Sequence, residues 1–139
     1  MSCRMQENGR RFLAEMLAGS GRKINGMYVE YGNVPRQTGK RDRAYFDELA
    51  RQDDGGYVRL SVANAYVDKD LTTLFSAMVR LQDTKLAGTD GTELGCVTLV
   101  SEGRQEDEDV LICTFDFPEA MKIVGNAYTT IRCGINLWS

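Results

Sequence analysis

A chain of 139 residues with 42% hydrophobic and 27% charged residues has the size and composition of one soluble globular domain. No apolar run reaches the roughly 18 residues that cross a bilayer, and the polar stretch 1–9 is unlike a signal peptide, so we expect an intracellular product. The chain contains no histidine, which excludes serine–histidine and cysteine–histidine catalysis and zinc sites built on histidine.

The net charge of −3 is unevenly distributed along the chain. Residues 1–59 contain 11 Lys and Arg against 8 Asp and Glu, which gives +3. Residues 60–139 contain 6 against 12, which gives −6. This distribution suits a subunit whose two ends face different partners, and it equally suits ordinary scatter along a chain.

The first predicted element is a helix over residues 8–18, with Asn8 as N-cap and Gly19 as the residue that ends it. Its apolar face consists of Phe12, Leu13, Met16 and Leu17. Three helical turns are marginal alone, so this face must dock, either on its own domain or on a neighbouring subunit. The sequence therefore predicts an N-terminal helical arm at 1–23 and a β-sandwich domain at 24–139.

A β-strand is predicted next, because Met27, Val29 and Tyr31 alternate with more polar neighbours in the half-buried pattern. The following stretch, 34–43, is polar and basic, with Arg36, Lys40, Arg41 and Arg43. A basic loop can meet phosphate or an acidic protein surface. No aromatic residue is interleaved and the chain is acidic, so we expect no nucleic acid, and either a solvated loop or an acidic partner.

Asp42 then begins a short helical segment, and the rest of the chain has the alternation of β-strands. The predicted strands cover 58–62, 71–82, 94–101, 109–117 and 127–138. Residues 102–108 form an acidic hairpin tip, which we expect to be solvated because its spacing fits no EF-hand. Buried thiols rather than disulfides are expected at Cys96, Cys113 and Cys133, which share strand faces with apolar residues.

About six or seven strands with few helices exclude a parallel sheet, which would need helical crossovers. The predicted fold is mainly β: an antiparallel β-sandwich, jelly-roll-like, with an N-terminal helix and one short helical segment. Nothing in the sequence implies a cofactor, a metal site or a catalytic residue.

Several stretches resemble, in the same order, small structural proteins of tailed bacteriophages. They are INGMYVEYGN, YFDEL followed by GYVRLSV, TLFSAMV, DVLICTFDF and VGNAYTTIRCGINLW, and they extend from Ile24 to Trp138. The resemblance implies a virion component, foremost a jelly-roll capsid cement (decoration) protein that binds adjacent major capsid protein subunits. The helix before Gly19 and the acidic tip depart from the family pattern.

In such a protein we expect the capsid surface as location, after assembly in the host cytoplasm, with self-association as a dimer or trimer and no membrane partner. From the residues themselves, the candidates for partner binding are the apolar helix face and the basic segment: Phe12, Leu13, Met16, Leu17, Arg36, Lys40, Arg41 and Arg43. An amphipathic arm and a basic loop can each dock on a repeated protein surface.

Three alternatives stay open. The first is a structural protein of the head–tail junction or tail, which copy number per virion would distinguish. The second is a carbohydrate-binding sandwich that stacks sugars on exposed aromatics, with Tyr28, Tyr66, Tyr128 and Trp138 as candidates. The third is a glycoside hydrolase using paired carboxylates such as Asp116 and Glu119, although a chance pair is expected in a chain this acidic.

Overall fold

The computed structural model describes residues 3–5, 7–32, 40–117 and 121–136. The helices and strands in chain order are β1 (Cys3–Met5), α1 (Glu7–Leu17), β2 (Gly26–Gly32), α2 (Arg43–Leu49), β3 (Gly55–Ser61), β4 (Asn64–Val67), β5 (Thr72–Val79), β6 (Thr92–Ser101), β7 (Val110–Phe115), β8 (Met121–Ile123) and β9 (Thr129–Asn136). Single turns of 3-10 helix occupy Leu81–Asp83 and Glu106–Glu108.

The strands form two antiparallel sheets. The larger sheet has the order β1-β7-β6-β2-β3, and β8 pairs with β6 near the start of that strand. The smaller sheet has the order β4-β5-β9. The prediction of a mainly β chain folded as an antiparallel sandwich, with an N-terminal helix and one short helical segment, is therefore confirmed.

The main core lies between the two sheets. The larger sheet contributes buried side chains that include Met27, Val29, Val97, Leu99 and Phe115. The smaller sheet contributes Phe75, Ala77, Val79, Ile131 and Cys133. Each fully buried aliphatic or aromatic side chain is worth about 1.5–3 kcal/mol, so this layer supplies most of the stabilisation.

Strand β2 is buried on both faces, whereas the alternation predicted a half-buried strand. Met27 and Val29 face the main core, while Tyr28 packs on the other side against Phe46 and Leu49 of α2. The Phe46 and Tyr28 rings pack in a T-shaped arrangement with their centroids 4.9 Å apart. Helix α2 therefore adds a third layer over this part of the larger sheet.

Side chains form hydrogen bonds with free backbone groups at both ends of α2. Asp42, where the sequence predicted this helical segment to begin, is the N-cap of α2, and its Oδ1 accepts a hydrogen bond from the Tyr45 amide at 2.9 Å. At the other end, the Lys85 ammonium donates to the carbonyl oxygens of Ala50 at 2.6 Å and Gln52 at 2.7 Å. A cation at the C-terminus of a helix satisfies carbonyls that have no partner within the helix.

The predicted N-terminal arm at 1–23 packs against the sandwich domain predicted at 24–139. Strand β1 pairs with β7, and Phe12 of α1 is 2% exposed within the main core. Gly9 lies so close to β7 that a Cβ atom there would come within 2.1 Å of the Ile112 carbonyl oxygen. Helix α1 therefore docks on its own domain, the first of the two open alternatives.

Three strands were not predicted from the sequence: β1, β4 and β8. They contain 3, 4 and 3 residues. Such lengths are too short for a period of 2 to stand out from chance. In the ranges that the structure describes, neither α1 nor α2 has the length and apolar character needed to cross a membrane.

Candidate functional site

The outer face of the larger sheet carries polar side chains beneath α2. Glu30 of β2 is 1% exposed and Cys96 of β6 is 2% exposed. A charge removed from water is costly unless it is paired and hydrogen-bonded. The partners come from the segment that leads into α2, and they hold this segment in place beside the sheet.

Arg41 is the first of these partners. Its Nε lies 3.2 Å and its Nη2 lies 3.3 Å from the two carboxylate oxygens of Glu30, and Nη2 also lies 3.3 Å from Cys96 Sγ. The Tyr45 hydroxyl donates to Glu30 Oε1 at 2.5 Å, and the Arg41 guanidinium lies 4.4 Å from the centroid of the Tyr45 ring. Burial raises the pKa of the Tyr45 phenol, as does Glu30, so this hydroxyl remains a donor.

Arg43 joins α2 to the acidic tip at 102–108. Its Nη1 donates to Tyr28 Oη at 3.1 Å and to the Glu106 carbonyl at 3.0 Å, while Nη2 donates to Tyr57 Oη at 2.8 Å. The Tyr57 hydroxyl donates in turn to the Glu106 carboxylate. Burial, together with this bond, raises the pKa of Tyr57 to about 12. The tip is exposed as predicted, yet it is anchored to the sheet.

Asp109 fixes the base of the same tip. Its carboxylate accepts from Arg59 at 2.7 and 2.8 Å, from the Tyr28 hydroxyl at 2.6 Å and from the Gly103 amide at 2.8 Å. Burial alone would raise the pKa of the Asp109 carboxyl. The bonds from Arg59 and Tyr28 outweigh burial and hold this pKa below its ordinary value of 3.8.

This lowered pKa predicts an acid-dependent contribution of Asp109 to stability. Because the folded pKa lies below the unfolded one, the contribution is present above about pH 4 and is lost as pH falls through the folded pKa. We expect Asp109→Asn to lower the free energy of unfolding by about 1–3 kcal/mol at pH 6, and by much less at pH 2.5. Urea unfolding of both proteins at each pH measures the difference. A difference that does not change with pH would contradict this assignment.

A cleft of about 390 Å³ lies between α1, residues 40–43 and the start of β7. We call it the α1 cleft. The cations that line it are Arg11, Arg22, Lys40, Arg41 and Arg43. The carboxylates that line it are Glu15, Asp42 and Asp109. The cleft thus brings together the N-terminal helix and the basic segment, the two regions from which the sequence drew its candidates.

The predicted partner-binding residues occupy different environments. Phe12, Lys40, Arg41 and Arg43 line the α1 cleft, but Phe12 is 2% exposed and Arg41 is 1% exposed. These two were expected to meet a partner and instead hold the chain's own fold together, because Phe12 completes the core and Arg41 neutralises Glu30. Lys40 is exposed, and Arg43 is partly buried in its tyrosine contacts.

The remaining candidates lie on α1 or outside the described ranges. Leu13 is partly buried against the main core. Met16 is 38% exposed and Leu17 is 91% exposed, so the C-terminal end of α1 presents apolar surface. Arg36 lies in 33–39, outside the described residues.

Two cations of the cleft, Arg11 and Arg22, were not among the candidates. Arg11 lies on the polar face of α1, and the Arg22 guanidinium carbon lies 5.3 Å from the centroid of the Phe12 ring. The one signal for them in the sequence was the +3 charge of residues 1–59. A charge excess indicates that basic surface exists, but not which side chains converge.

The structure gives little support to the carbohydrate-binding and glycoside hydrolase alternatives. Tyr66 is 43% exposed and Tyr128 is 56% exposed, with Arg80 lying 5.0 Å from the Tyr128 ring centroid. Asp116 accepts a bond from the Cys96 thiol at 2.8 Å, and Glu119 and Trp138 lie outside the described residues. Burial and Asp116 raise the pKa of the Cys96 thiol to about 11.

Neither a metal site among the described residues nor a similar known protein gives further information about function. Across 3–5, 7–32, 40–117 and 121–136, no three Cys, Asp or Glu side chains are grouped so that they could hold a metal ion. The α1 cleft is accordingly the candidate site, and its chemistry is that of exposed cations beside apolar surface. The chain matches no protein-family model, and no curated protein or solved structure shows significant similarity to it.

Proposed function

We propose that the protein is a virion structural protein of the capsid cement type, which binds adjacent major capsid protein subunits. The observation that supports this function best is the α1 cleft. Exposed Arg11 and Lys40 lie on its lining, and the exposed Met16 and Leu17 belong to the helix that forms one wall. Mixed basic and apolar surface on a rigid scaffold is suited to docking on another protein.

The scaffold around the cleft is fixed before any partner arrives. The Arg41–Glu30 pair holds the segment 40–43, and Gly9 seats α1 against β7. A preorganised surface loses little conformational entropy on binding. Burial of Met16 and Leu17 would contribute up to about 1.5–3 kcal/mol each, which is modest for one contact. On a capsid the same contact is repeated, so a weak site suffices if the protein associates with several subunits at once.

Copy number in purified virions tests this function. A cement protein is expected in a fixed ratio to the major capsid protein, as measured by gel densitometry or quantitative mass spectrometry. A small number per particle would place the protein at the head–tail junction or in the tail instead. Absence from purified virions would exclude both.

A further inference from the structure

The α1 cleft has three cations that form no ion pair with another described residue. Arg41 and Arg43 are engaged with Glu30, Tyr28 and Tyr57. Arg11, Arg22 and Lys40 are exposed, and none of the ion pairs formed by the described residues includes them. The three residues come from α1, the link before β2 and the link before α2, and all of them line one cavity.

The carboxylates of the cleft offset only part of this positive charge. Asp42 accepts from the Tyr45 amide as the cap of α2, and Asp109 is held by Arg59 in a two-bond ion pair. Glu15 is the remaining carboxylate among the described residues of the lining. Three exposed cations therefore stand against two exposed carboxylates, Asp42 and Glu15, and an anionic ligand would still find an excess of positive charge.

The walls of the cleft also contain apolar side chains. Val110 and Leu111 at the start of β7 are partly buried, and Arg22 lies over the ring of Phe12 at 5.3 Å. An arginine held over an aromatic ring presents its planar donors in a fixed orientation, which suits a carboxylate. The volume of about 390 Å³ lies within the usual range of ligand pockets, about 300–1,000 Å³.

We infer that the α1 cleft binds an acidic peptide segment that carries carboxylates and at least one apolar side chain. The carboxylates contact Arg11, Arg22 and Lys40, and the apolar side chain packs against Leu111. This inference rests on the proposed function, since it names the chemistry of the capsid segment that the cleft receives.

Nucleic acid fits the same surface less well. Single-stranded nucleic acid is usually bound by exposed aromatic rings on which bases stack. Among the described residues of the lining, the one aromatic is Phe12, which is 2% exposed and has no face available for a base.

The experiment uses the full-length protein and a fluorescent 12-residue peptide in which Asp and Glu alternate with Leu and Ser. The control peptide has the same sequence, except that Asn replaces every Asp and Gln replaces every Glu. Fluorescence anisotropy should show at least about tenfold tighter binding of the acidic peptide, and this binding should weaken as salt is raised. Equal binding of the two peptides would overturn the inference.

Two triple variants matched in charge locate the site. The cleft variant carries Arg11→Gln, Arg22→Gln and Lys40→Gln; the control variant carries Arg51→Gln, Arg104→Gln and Arg132→Gln at exposed positions outside the cleft. We expect the cleft variant to bind the acidic peptide about tenfold more weakly than wild type, and the control variant to bind within about twofold. Equal losses in both variants would reveal a nonspecific charge effect and overturn the inference.

Two further results separate the inference from the function on which it rests. If a 12-nucleotide single-stranded DNA or polyphosphate binds more tightly than the acidic peptide, the cleft is a phosphate site and the peptide assignment is wrong. If virions contain the protein in a fixed ratio to the major capsid protein while the peptide does not bind, the inference fails and the cement function stands. Peptide binding by a protein absent from virions would overturn the function alone.

Discussion

Replacing Arg41 by alanine is expected to lower the free energy of unfolding by about 3–5 kcal/mol. The Glu30 carboxylate, 1% exposed, would lose its ion-pair partner and remain buried beneath α2. The Tyr45 ring would also lose the guanidinium that lies 4.4 Å from its centroid. Urea unfolding followed by circular dichroism measures the change.

An exposed ion pair provides the control for this prediction. Arg51 and Glu48 lie 3.0 Å apart with 73% and 67% of their side-chain surfaces exposed, so Arg51→Ala should change stability by less than about 1 kcal/mol. The double variant Glu30→Met with Arg41→Met removes both buried charges together. It should be more stable than Arg41→Ala, because no unpaired charge is left in the interior. A loss below about 1 kcal/mol in Arg41→Ala would contradict the buried pair.

Replacing Gly9 by alanine is expected to destabilise the protein by about 1–3 kcal/mol. In an exposed helix, glycine to alanine stabilises by roughly 0.5–1 kcal/mol, so the predicted sign is opposite to the intrinsic preference. The reason is the backbone of β7, since a Cβ at Gly9 would come within 2.1 Å of the Ile112 carbonyl oxygen. To accept the methyl group, α1 must move away from β7 and partly uncover Phe12.

Gly88 is a suitable control for Gly9. A Cβ built at Gly88 meets nothing within 4 Å, so Gly88→Ala should leave the unfolding midpoint nearly unchanged. Thermal unfolding of the two variants and wild type gives the comparison. If Gly9→Ala raised the midpoint, α1 would not be seated against β7, and the α1 cleft would lack one of its walls.

The sheets were predictable from the sequence because their longer strands repeat the period of 2 over six or more residues. The same rule predicted polar outward faces, and it was wrong about the environment of Tyr28 and Glu30. Alternation separates the two faces of a strand, but it does not show that α2 folds back over one of them. That contact depends on residues 43–49, which come later in the chain and lie across the sheet.

The candidate site was predicted in part. Lys40 and Phe12 were identified in separate segments, and their meeting at one cleft depends on how α1 docks on β7. Arg41 and Lys40 are adjacent basic residues with the same sequence context, yet Arg41 turns inward to Glu30 while Lys40 remains exposed. Tertiary structure decides which of two neighbouring cations pairs with a buried carboxylate. The local sequence pattern does not indicate it.

A co-pelleting assay tests most directly whether the α1 cleft is the docking surface. In this assay the protein is mixed with capsids that lack it, and the capsids are then pelleted. Wild type and the control variant (Arg51→Gln, Arg104→Gln, Arg132→Gln) are expected to pellet in a fixed ratio to the major capsid protein. The cleft variant (Arg11→Gln, Arg22→Gln, Lys40→Gln) should need about tenfold more protein for the same occupancy. Wild type that stays in the supernatant at every concentration, or a cleft variant that pellets as wild type does, would contradict this function for the cleft.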